Sequence, residues 1–288
     1  MRTIGTVAEL RAALAEPRRA GRTIGLVPTM GALHDGHLSL LARARRDCDV
    51  VVMSLFVNPT QFNDRADLEA YPRDEVRDAR LAAGHGVDFV FAPVVEEIYP
   101  SGFATTVSVG GVTETLEGAH RGRAHFDGVA TVVTKLFNIV APDVAYFGQK
   151  DAQQAVVIKQ LVRDLALPVR IEVCPTVREA DGLALSSRNV HLSPTDRVRA
   201  AALNRALDAA GTAVAAGECD PAAVTAAARS ELTSAEIEPE YLELVSPETL
   251  VPVDTVDGYV LAVVAAHVGA TRLIDNHMLH ANGRPQSQ

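Results

Sequence analysis

The sequence of 288 residues lacks tryptophan, has only three cysteines, and contains no apolar run of the roughly 18–20 residues that a membrane-spanning helix needs. Cys48, Cys174 and Cys219 are odd in number and widely spaced, which excludes a disulfide framework and a cysteine-based zinc cluster. The stretch from Met1 to Arg11 also lacks the apolar segment of a secretion signal. These absences predict a globular cytoplasmic protein with reduced thiols.

Positive charge is also scarce, because 27 basic residues stand against 36 acidic ones and the net charge is −9. A chain with this balance has no broad electrostatic surface for nucleic acid or an anionic membrane, although a local basic pocket is compatible with it. We therefore expect small-molecule partners, no nucleic acid and no membrane. Hydrophobic residues make up 48% of the chain, which is enough to bury a substantial core.

The first two thirds of the chain alternate between β-rich runs and helical patterns. The segment Val50–Val57 is almost continuously apolar, as a parallel strand covered by helices on both faces requires. Repeated β-α-β units predict an α/β fold with a Rossmann-like, doubly wound parallel sheet, whose ligands bind at the carboxyl ends of the strands. The predicted strands are Arg22–Thr29, Asp49–Val57, Val87–Ala92, Val144–Phe147 and Pro168–Cys174, and the predicted helices are Gly36–Cys48, Pro72–Ala83, Asp127–Val140 and Asp151–Leu165.

The pattern changes near residue 177. Two alanine-rich helices are predicted at Thr195–Ala216 and Pro221–Leu232, followed by strands at Tyr241–Val245, Gly258–Val268 and Thr271–Asn276. We therefore expect a first domain over residues 1–176 and a smaller C-terminal α+β domain over residues 177–280 that closes over the active site. Residues 281–288 are polar and are predicted to form a frayed tail.

The strongest chemical signal follows the first predicted strand and opens a helix. It reads Pro-Thr-Met-Gly-Ala-Leu-His-Asp-Gly-His from Pro28 to His37. A helix N-terminus attracts phosphate, and His34 and His37 can donate hydrogen bonds to phosphate oxygens there. The alternatives are a zinc pair, which lacks an obvious third ligand, and two ordinary surface histidines.

Three further motifs are weaker when each is taken alone. Ser186, Ser187 and Arg188 could surround an anion or simply form a surface turn. Lys150, at a strand end, could neutralise a phosphate or be a solvated lysine at a helix start. The loop Phe56–Asn63 offers neutral amides for a hydroxyl or carboxylate, but a turn built on Asn-Pro explains it equally well.

Taken in order, these motifs resemble the pantothenate synthetase (pantoate–β-alanine ligase) family. The resemblance covers the Pro-Thr-Met-Gly-x-Leu-His-x-Gly-His, Val-Asn-Pro-x-Gln-Phe, His-Phe-x-Gly-Val, Phe-Gly-x-Lys-Asp and Leu-Ser-Ser-Arg-Asn motifs, and extends from Thr23 to about Asn276. The His-x-Gly-His and Ser-Ser-Arg elements also occur in class I tRNA synthetases and nucleotidyltransferases, so neither is specific alone.

The resemblance implies an ATP-dependent condensation of (R)-pantoate with β-alanine that yields pantothenate, AMP and pyrophosphate through a pantoyl adenylate. It makes His37 the catalytic histidine and His34 its partner, and it assigns Gln61 to pantoate and β-alanine and Gln154 to pantoate. It also implies Mg²⁺ bound with ATP, no tightly bound organic cofactor, and a homodimer to which the strand Val50–Val57 or its flanks could contribute. The implied ATP-binding residues are Met30, Gly31, Ala32, Leu33, His34, Asp35, Gly36, His37, Gly148, Gln149, Lys150, Asp151, Val177, Leu185, Ser186, Ser187 and Arg188.

Two positions depart from the family pattern, and the role of a third residue stays open. The segment from His120 to His125 is one residue longer than usual, so either Arg121 or Arg123 could take the family's arginine position. Gln149 stands where glutamate is frequent, and we expect its backbone to face the nucleotide. Asp78 lies near a position associated with the pocket and with Mg²⁺, but direct protein ligands of the metal stay open.

The expected mechanism has two steps and no covalent enzyme intermediate. The carboxylate of pantoate attacks the α-phosphate of ATP, and the amine of β-alanine then displaces AMP. His34 and His37 would stabilise charge on the α-phosphate, while Lys150, Ser186, Ser187 and Arg188 would act on the β- and γ-phosphates. Two alternatives remain at this stage: a nucleotidyltransferase, which would need more cations in its acceptor site, and a nucleotide-binding regulator without catalytic activity.

Overall fold

The computed structural model describes residues 1–281, apart from the side chain of Asp67. The described part forms two compact units, one containing Met1–Gly148 and Gln153–Cys174 and the other containing Gln149–Ala152 and the chain from Pro175 onward. The strands are β1 (Arg2–Ile4), β2 (Ile24–Thr29), β3 (Val50–Leu55), β4 (Phe89–Phe91), β5 (Val144–Gly148), β6 (Arg170–Cys174), β7 (Pro239–Val245), β8 (Tyr259–Val268) and β9 (Thr271–His280). The α-helices are α1 (Val7–Arg19), α2 (Asp35–Asp47), α3 (Arg65–Ala70), α4 (Glu75–Gly84), α5 (Val95–Ile98), α6 (Glu117–Arg121), α7 (Arg123–Val140), α8 (Ala152–Asp164), α9 (Pro194–Ala200), α10 (Ala202–Ala215) and α11 (Pro221–Ser234), with 3-10 helices at Pro59–Gln61, Gln149–Asp151 and Ser187–His191.

The first unit is built on a parallel sheet with the strand order β1-β4-β3-β2-β5-β6. This confirms the predicted doubly wound α/β fold, because β2, β3 and β4 succeed one another on one side and β5 and β6 on the other. All six residues of β3 are buried, which explains its continuous apolar sequence. The order reverses between β2 and β5, and the carboxyl ends of strands at such a point are where ligands bind in doubly wound sheets.

The second unit contains the antiparallel sheet β7-β8-β9 and the helices α9, α10 and α11. Its core joins buried side chains of the helices, including Leu203, Leu207 and Leu232, to the apolar face of the strands, including Val264. The prediction of a smaller C-terminal α+β fold is confirmed. None of the described helices is both long enough and apolar enough to cross a membrane.

Several predicted elements need correction. The strand β1 and helix α1 were missed, because β1 has only three residues and α1 buries little more than Leu10, Leu14 and Pro17. The predicted helix Thr195–Ala216 is two helices, α9 and α10, separated at Ala201. The last strand continues past Asn276 to His280, paired with β8 throughout.

Two expectations about surfaces also change. The strand β3 pairs with β2 and β4 and is buried throughout, so the strand itself is not available for the expected dimer contact, whereas a contribution from its flanks stays a prediction. In the predicted frayed tail, Ala281 donates its N–H to the carbonyl of Gly258, whereas residues 282–288 lie outside the described residues.

Helix α7 packs closely against the 3-10 helix Pro59–Gln61, and Gly128 allows this approach. A Cβ atom at Gly128 would lie 2.5 Å from the carbonyl oxygen of Thr60 and 2.8 Å from the N–H nitrogen of Gln61. Both neighbours are backbone atoms and cannot rotate away. The glycine of the His-Phe-x-Gly-Val motif is therefore required by packing.

We predict that Gly128→Ala lowers the free energy of unfolding by about 1–3 kcal/mol, as overpacking of a close contact does. Gly84→Ala is the matched control, because a Cβ atom there meets nothing within 4 Å and the site lies in α4. Alanine at residue 84 should leave stability unchanged or raise it slightly. Urea unfolding of both variants measures the difference, and equal stabilities would contradict the packing explanation.

Candidate functional site

The start of α2 is stabilised by two histidines that cap it reciprocally. His34 is the N-cap residue, and its Nδ1 accepts a hydrogen bond from the N–H of Gly36 at 3.2 Å. His37, at the third helical position, accepts from the N–H of His34 through its own Nδ1 at 3.4 Å. The two rings lie 4.2 Å apart between centroids. This is the capping-box geometry in which serine or threonine and glutamate ordinarily stand.

The capping pattern determines which ring nitrogens carry protons. A nitrogen that accepts a hydrogen bond has no proton, so each neutral imidazole carries its proton on Nε2. The N–H of Gly36 is bonded to the ring of His34 and is therefore not available to a phosphate at this helix start. Gly36 is needed because a Cβ atom there would lie 2.8 Å from Cε1 of His34. The chemistry offered here therefore resides in the imidazole Nε2–H groups.

The loop before α2 is held by the carboxylate of Asp78, which is 1% exposed. Asp78 Oδ2 accepts from the N–H of Ala32 at 2.8 Å, and Oδ1 accepts from the N–H of Leu33 at 2.9 Å. The loop needs this support, because Gly31 and Ala32 have φ angles of 91° and 52°. The neighbouring Arg77 donates to the carbonyl oxygen of Leu33 at 3.0 Å. Ala32 and Leu33 therefore direct their N–H groups to Asp78, and the side chain of Leu33 is buried in the core.

Asp78 does not fit the metal interpretation that the sequence left open. Both of its oxygens accept backbone N–H groups, and Arg77 lies 3.4 Å from Oδ1. Within the described residues, no group of three or more histidine, cysteine, aspartate or glutamate side chains could hold a metal ion. The buried carboxylate is instead a structural acceptor that shapes the loop.

The amide loop after β3 places Gln61 at the end of the 3-10 helix Pro59–Gln61. Its Oε1 accepts from Nδ2 of Asn58 at 3.0 Å, and its Nε2 lies 3.2 Å from Sδ of Met30. His125 is hydrogen-bonded through Nδ1 to the carbonyl oxygen of Gln61 at 2.7 Å. The first unit thus joins Gln61 to the segment that begins with Met30. The other predicted amide, Gln154, is a half-buried residue in the first turn of α8.

In the second unit, Lys150, Ser186 and Arg188 line one open cavity. The same cavity is lined by Arg272 and Asp275 of β9. Three of these five side chains are cationic, but Arg272 is paired with Glu240 at 2.8 Å, and Nζ of Lys150 lies 3.6 Å from Oδ1 of Asp151. The structure therefore brings together three predicted site residues that are separated by up to 38 positions in the sequence.

Strand β9 fixes the backbone of the segment that carries Lys150. Asn276 donates from Nδ2 to the carbonyl oxygens of both Gln149 and Lys150, each at 2.9 Å. Its Oδ1 accepts from Nε2 of Gln149 at 2.8 Å. The carbonyl group and the side chain of Gln149 are thus both directed at Asn276. Of the Gln149 backbone, only the N–H group is left for the expected contact with the nucleotide. Gly148, before this segment, is the last residue of β5, and Asp151 ends the 3-10 helix.

Ion pairs hold the other side of the cavity. Arg178 makes a two-pronged contact with Asp275, with nitrogen–oxygen distances of 2.7 and 2.9 Å. Arg197 binds both Glu179 and Asp181, and the hydrogen bond from Arg197 keeps the pKa of Asp181 below its usual range. These contacts brace the residues on either side of Val177 and Leu185.

The serine loop is short and ordered by its own backbone. Leu185 donates its N–H to the carbonyl oxygen of Val177 at 2.9 Å. Ser186 then caps the 3-10 helix Ser187–His191 by accepting from the N–H of Arg188 at 3.3 Å. Beside Val177, the buried Oγ1 of Thr176 makes no hydrogen bond within the described part of the chain, so a ligand or water can satisfy it.

The two candidate arginines lie in different surroundings. Arg121 ends α6 and pairs with the buried Glu117 at 3.0 Å, and its carbonyl oxygen accepts a hydrogen bond from Asn63. Arg123 begins α7, donates to Oγ of Ser108 at 2.9 Å, and is 67% exposed in its side chain. Arg121 is therefore the one connected to the amide loop.

Comparison with known proteins agrees with these observations over the whole chain. The family described as pantoate-beta-alanine ligase matches residues 2–278. The chain is 55% identical to the pantothenate synthetase of Moorella thermoacetica, covering 98% of this chain and 100% of the relative. The structure of a pantothenate synthetase from Thermus thermophilus is 51% identical, with a TM-score of 0.91 and coverage of 96% and 99%. A pantoate-beta-alanine ligase from Francisella tularensis, solved in complex with beta-gamma ATP and beta-alanine, is 34% identical with a TM-score of 0.79 and coverage of 96% and 97%.

We predict that Asp78→Asn loosens the loop before α2 while the fold persists. The new amide group would face a backbone N–H, so one buried donor loses its acceptor, at a cost of about 1–3 kcal/mol. Amide hydrogen exchange at Ala32 and Leu33 should accelerate. Asp64→Asn is the control, because Asp64 caps the exposed helix α3 and asparagine caps a helix equally well. Unchanged exchange in Asp78→Asn would show that its carboxylate does not hold the loop.

Proposed function

The chain belongs to the pantoate–β-alanine ligase family and catalyses the ATP-dependent condensation of pantoate with β-alanine, and we propose that the reaction proceeds through a pantoyl adenylate bound by the residues described above. A carboxylate does not react with an amine in water, so the acid must first be activated. A carboxylate oxygen of pantoate attacks the α-phosphorus, and pyrophosphate leaves. The amine of β-alanine, having lost a proton, then attacks the acyl carbon, and AMP leaves.

The observation that carries this proposal is the histidine capping box at the reversal of strand order. His34 and His37 present Nε2–H groups because their Nδ1 atoms are acceptors. Donors held in this way stabilise negative charge that develops on the α-phosphate without having to reorganise. His37 is accordingly the proposed catalytic donor and His34 its partner. The rest of the segment, Met30, Gly31, Ala32, Leu33, Asp35 and Gly36, shapes the nucleotide site mainly through its backbone.

Lys150, Ser186, Ser187 and Arg188 of the second unit are proposed to act on the β- and γ-phosphates. Lysine and arginine neutralise the charge of departing pyrophosphate, and hydroxyl groups donate to its oxygens. The presence of Lys150, Ser186 and Arg188 in the lining of one cavity supports this division. The neighbouring Gly148, Gln149, Asp151, Val177 and Leu185 complete the proposed nucleotide-binding set.

Pantoate is assigned to Gln61 and Gln154, and β-alanine also to Gln61. A neutral amide can bind a hydroxyl or a carboxylate without adding charge, and a site for a phosphorylated acceptor would need cations instead. The contact between Gln61 and Met30 supports placing the acid next to the nucleotide segment.

Mg²⁺ is proposed to bind with ATP. Magnesium keeps several waters and prefers phosphate oxygens. The described residues include no carboxylate cluster that fits it, so we assign it no protein ligand and no step of the reaction.

A homodimer and a cytoplasmic location are further proposals. The first rests on the family resemblance, and the second on the three free thiols of the chain together with its use of ATP.

We predict that His37→Ala lowers kcat by roughly 10²–10³, the effect of removing one oxyanion-type donor, while ATP still binds. Since His37 also caps α2, the alanine variant loses helix stability as well. His37→Gln separates the two effects, because glutamine at this position can restore the capping box. Its melting temperature should return towards that of the original protein while its kcat stays well below it. Near-normal turnover in a folded His37→Ala variant would refute the assignment.

The adenylate is tested by isotope exchange. Labelled pyrophosphate should exchange into ATP when pantoate is present and β-alanine is absent, because formation of the adenylate is reversible. Carboxylate oxygen from labelled pantoate should appear in AMP after full turnover. Formation of ADP with the label in phosphate would instead indicate an acyl phosphate and overturn the proposal, and exchange without pantoate would indicate adenylylation of the enzyme itself.

A further inference from the structure

The orientation of the Asn58 carboxamide is fixed by the backbone around it. Asn58 is 1% exposed, so its polar atoms need partners inside the protein. Its Oδ1 faces the N–H of Thr60 at 3.4 Å, and a backbone N–H can only donate. Its Nδ2 faces the carbonyl oxygen of Gly128 at 3.1 Å, which can only accept. A flipped amide would oppose like groups at both ends, so only one orientation satisfies the site.

This orientation determines that of Gln61 in turn. The second proton of Asn58 Nδ2 points to Gln61 at 3.0 Å, so the Gln61 atom there must be the acceptor Oε1. The Nε2 group of Gln61 is then directed the other way, towards Met30. One N–H of Gln61 Nε2 is thus donated to Sδ of Met30, which leaves the other N–H for a ligand, while Oε1 accepts from Asn58.

Tyr99, the residue after α5, holds the far end of this chain of amides. Its hydroxyl donates to Oδ1 of Asn58 at 2.8 Å, the shortest of the contacts made by that oxygen. The ring packs edge-on against Phe103 at 5.1 Å between centroids, and Nζ of Lys135 lies 4.5 Å from the centre of the Phe103 ring. Burial raises the pKa of Tyr99, with an opposing effect of its hydrogen bond to Thr60, so the hydroxyl keeps its proton.

We propose that Tyr99 is a positioning residue for the acid substrate, which acts through Asn58 to hold the Gln61 carboxamide with its NH₂ group towards the ligand. The site then selects an acid whose carboxylate or hydroxyl oxygens accept hydrogen bonds. This inference rests on the proposed assignment of Gln61 to pantoate. It adds a residue that lies 38 positions from Gln61 in the sequence and outside every motif of the family pattern.

Tyr99→Phe tests the proposal because it keeps the ring and removes only the hydroxyl. Asn58 Oδ1 retains Thr60 as a donor, so the variant leaves no buried atom unpaired and should fold. We expect the apparent KM for pantoate to rise about 3- to 10-fold, as the loss of one neutral hydrogen bond gives, with the KM for ATP unchanged. Tyr146→Phe is the matched control. It removes another buried tyrosine hydroxyl of the first unit, which is hydrogen-bonded to Sγ of Cys48, and it should leave the KM for pantoate unchanged.

A double-mutant cycle with Gln61→Ala distinguishes positioning from a general structural effect. If Tyr99 acts through Gln61, then Tyr99→Phe has no further effect on the KM for pantoate once Gln61 is alanine. If the two substitutions instead raise the KM for pantoate independently, so that their effects multiply in the double variant, the proposal is overturned. It is also overturned if Tyr99→Phe leaves the KM for pantoate unchanged or raises the KM values for pantoate and ATP equally. If Gln61→Ala alone leaves the KM for pantoate unchanged, the assignment of Gln61 to pantoate is wrong, and the inference on Tyr99 fails with it. This outcome is visible in the Gln61→Ala variant itself and needs no measurement on Tyr99.

Discussion

The parallel pairing of β2 with β3 on one side and β5 on the other is the constraint on which the remaining structure depends. From β2 the sheet continues through β3 and β4 on one side and through β5 and β6 on the other. The segments that follow β2 and β5 therefore both start where the strand order reverses. One of these segments is the histidine-capped start of α2, and the other carries Lys150.

Three polar side chains from distant parts of the sequence bind the backbone of segments that carry candidate site residues. Asp78 binds the loop before α2, Asn58 binds the 3-10 helix that carries Gln61 together with α7, and Asn276 binds the carbonyl groups next to Lys150. Each of them is almost completely buried. A buried polar group without partners is costly, so each side chain has essentially one permitted arrangement, and the backbone that it contacts shares that rigidity.

Much of this could be predicted from the sequence, because the signals are local. Continuous apolar strands, helical spacing and the motif at Pro28–His37 are each contained in a few consecutive residues. The histidines were predicted as donors, but their capping role was not, since histidine is not among the residues expected at a helix start. Asp78, Tyr99 and Asn276 were not identified as supports, because each acts on a segment 38 to 127 residues away and such pairing leaves no local pattern. The helix break at Ala201 was missed because alanine favours a continuous helix, so the sequence there contains no local signal for a break.

The contact of Asn276 with the Lys150 segment has a consequence for how the chain is made. Residues 149–152 belong to the second unit, although they directly follow strand β5 and Ala152 is the first residue of α8, and the rest of both elements belongs to the first unit. The ribosome synthesises the whole parallel sheet, through Cys174, about a hundred residues before it reaches Asn276. The Gln149 and Lys150 carbonyl groups therefore acquire their side-chain donors only when synthesis is almost complete. The sheet can form while the chain is still emerging, whereas the segment that carries Lys150 is held in place only by the finished protein.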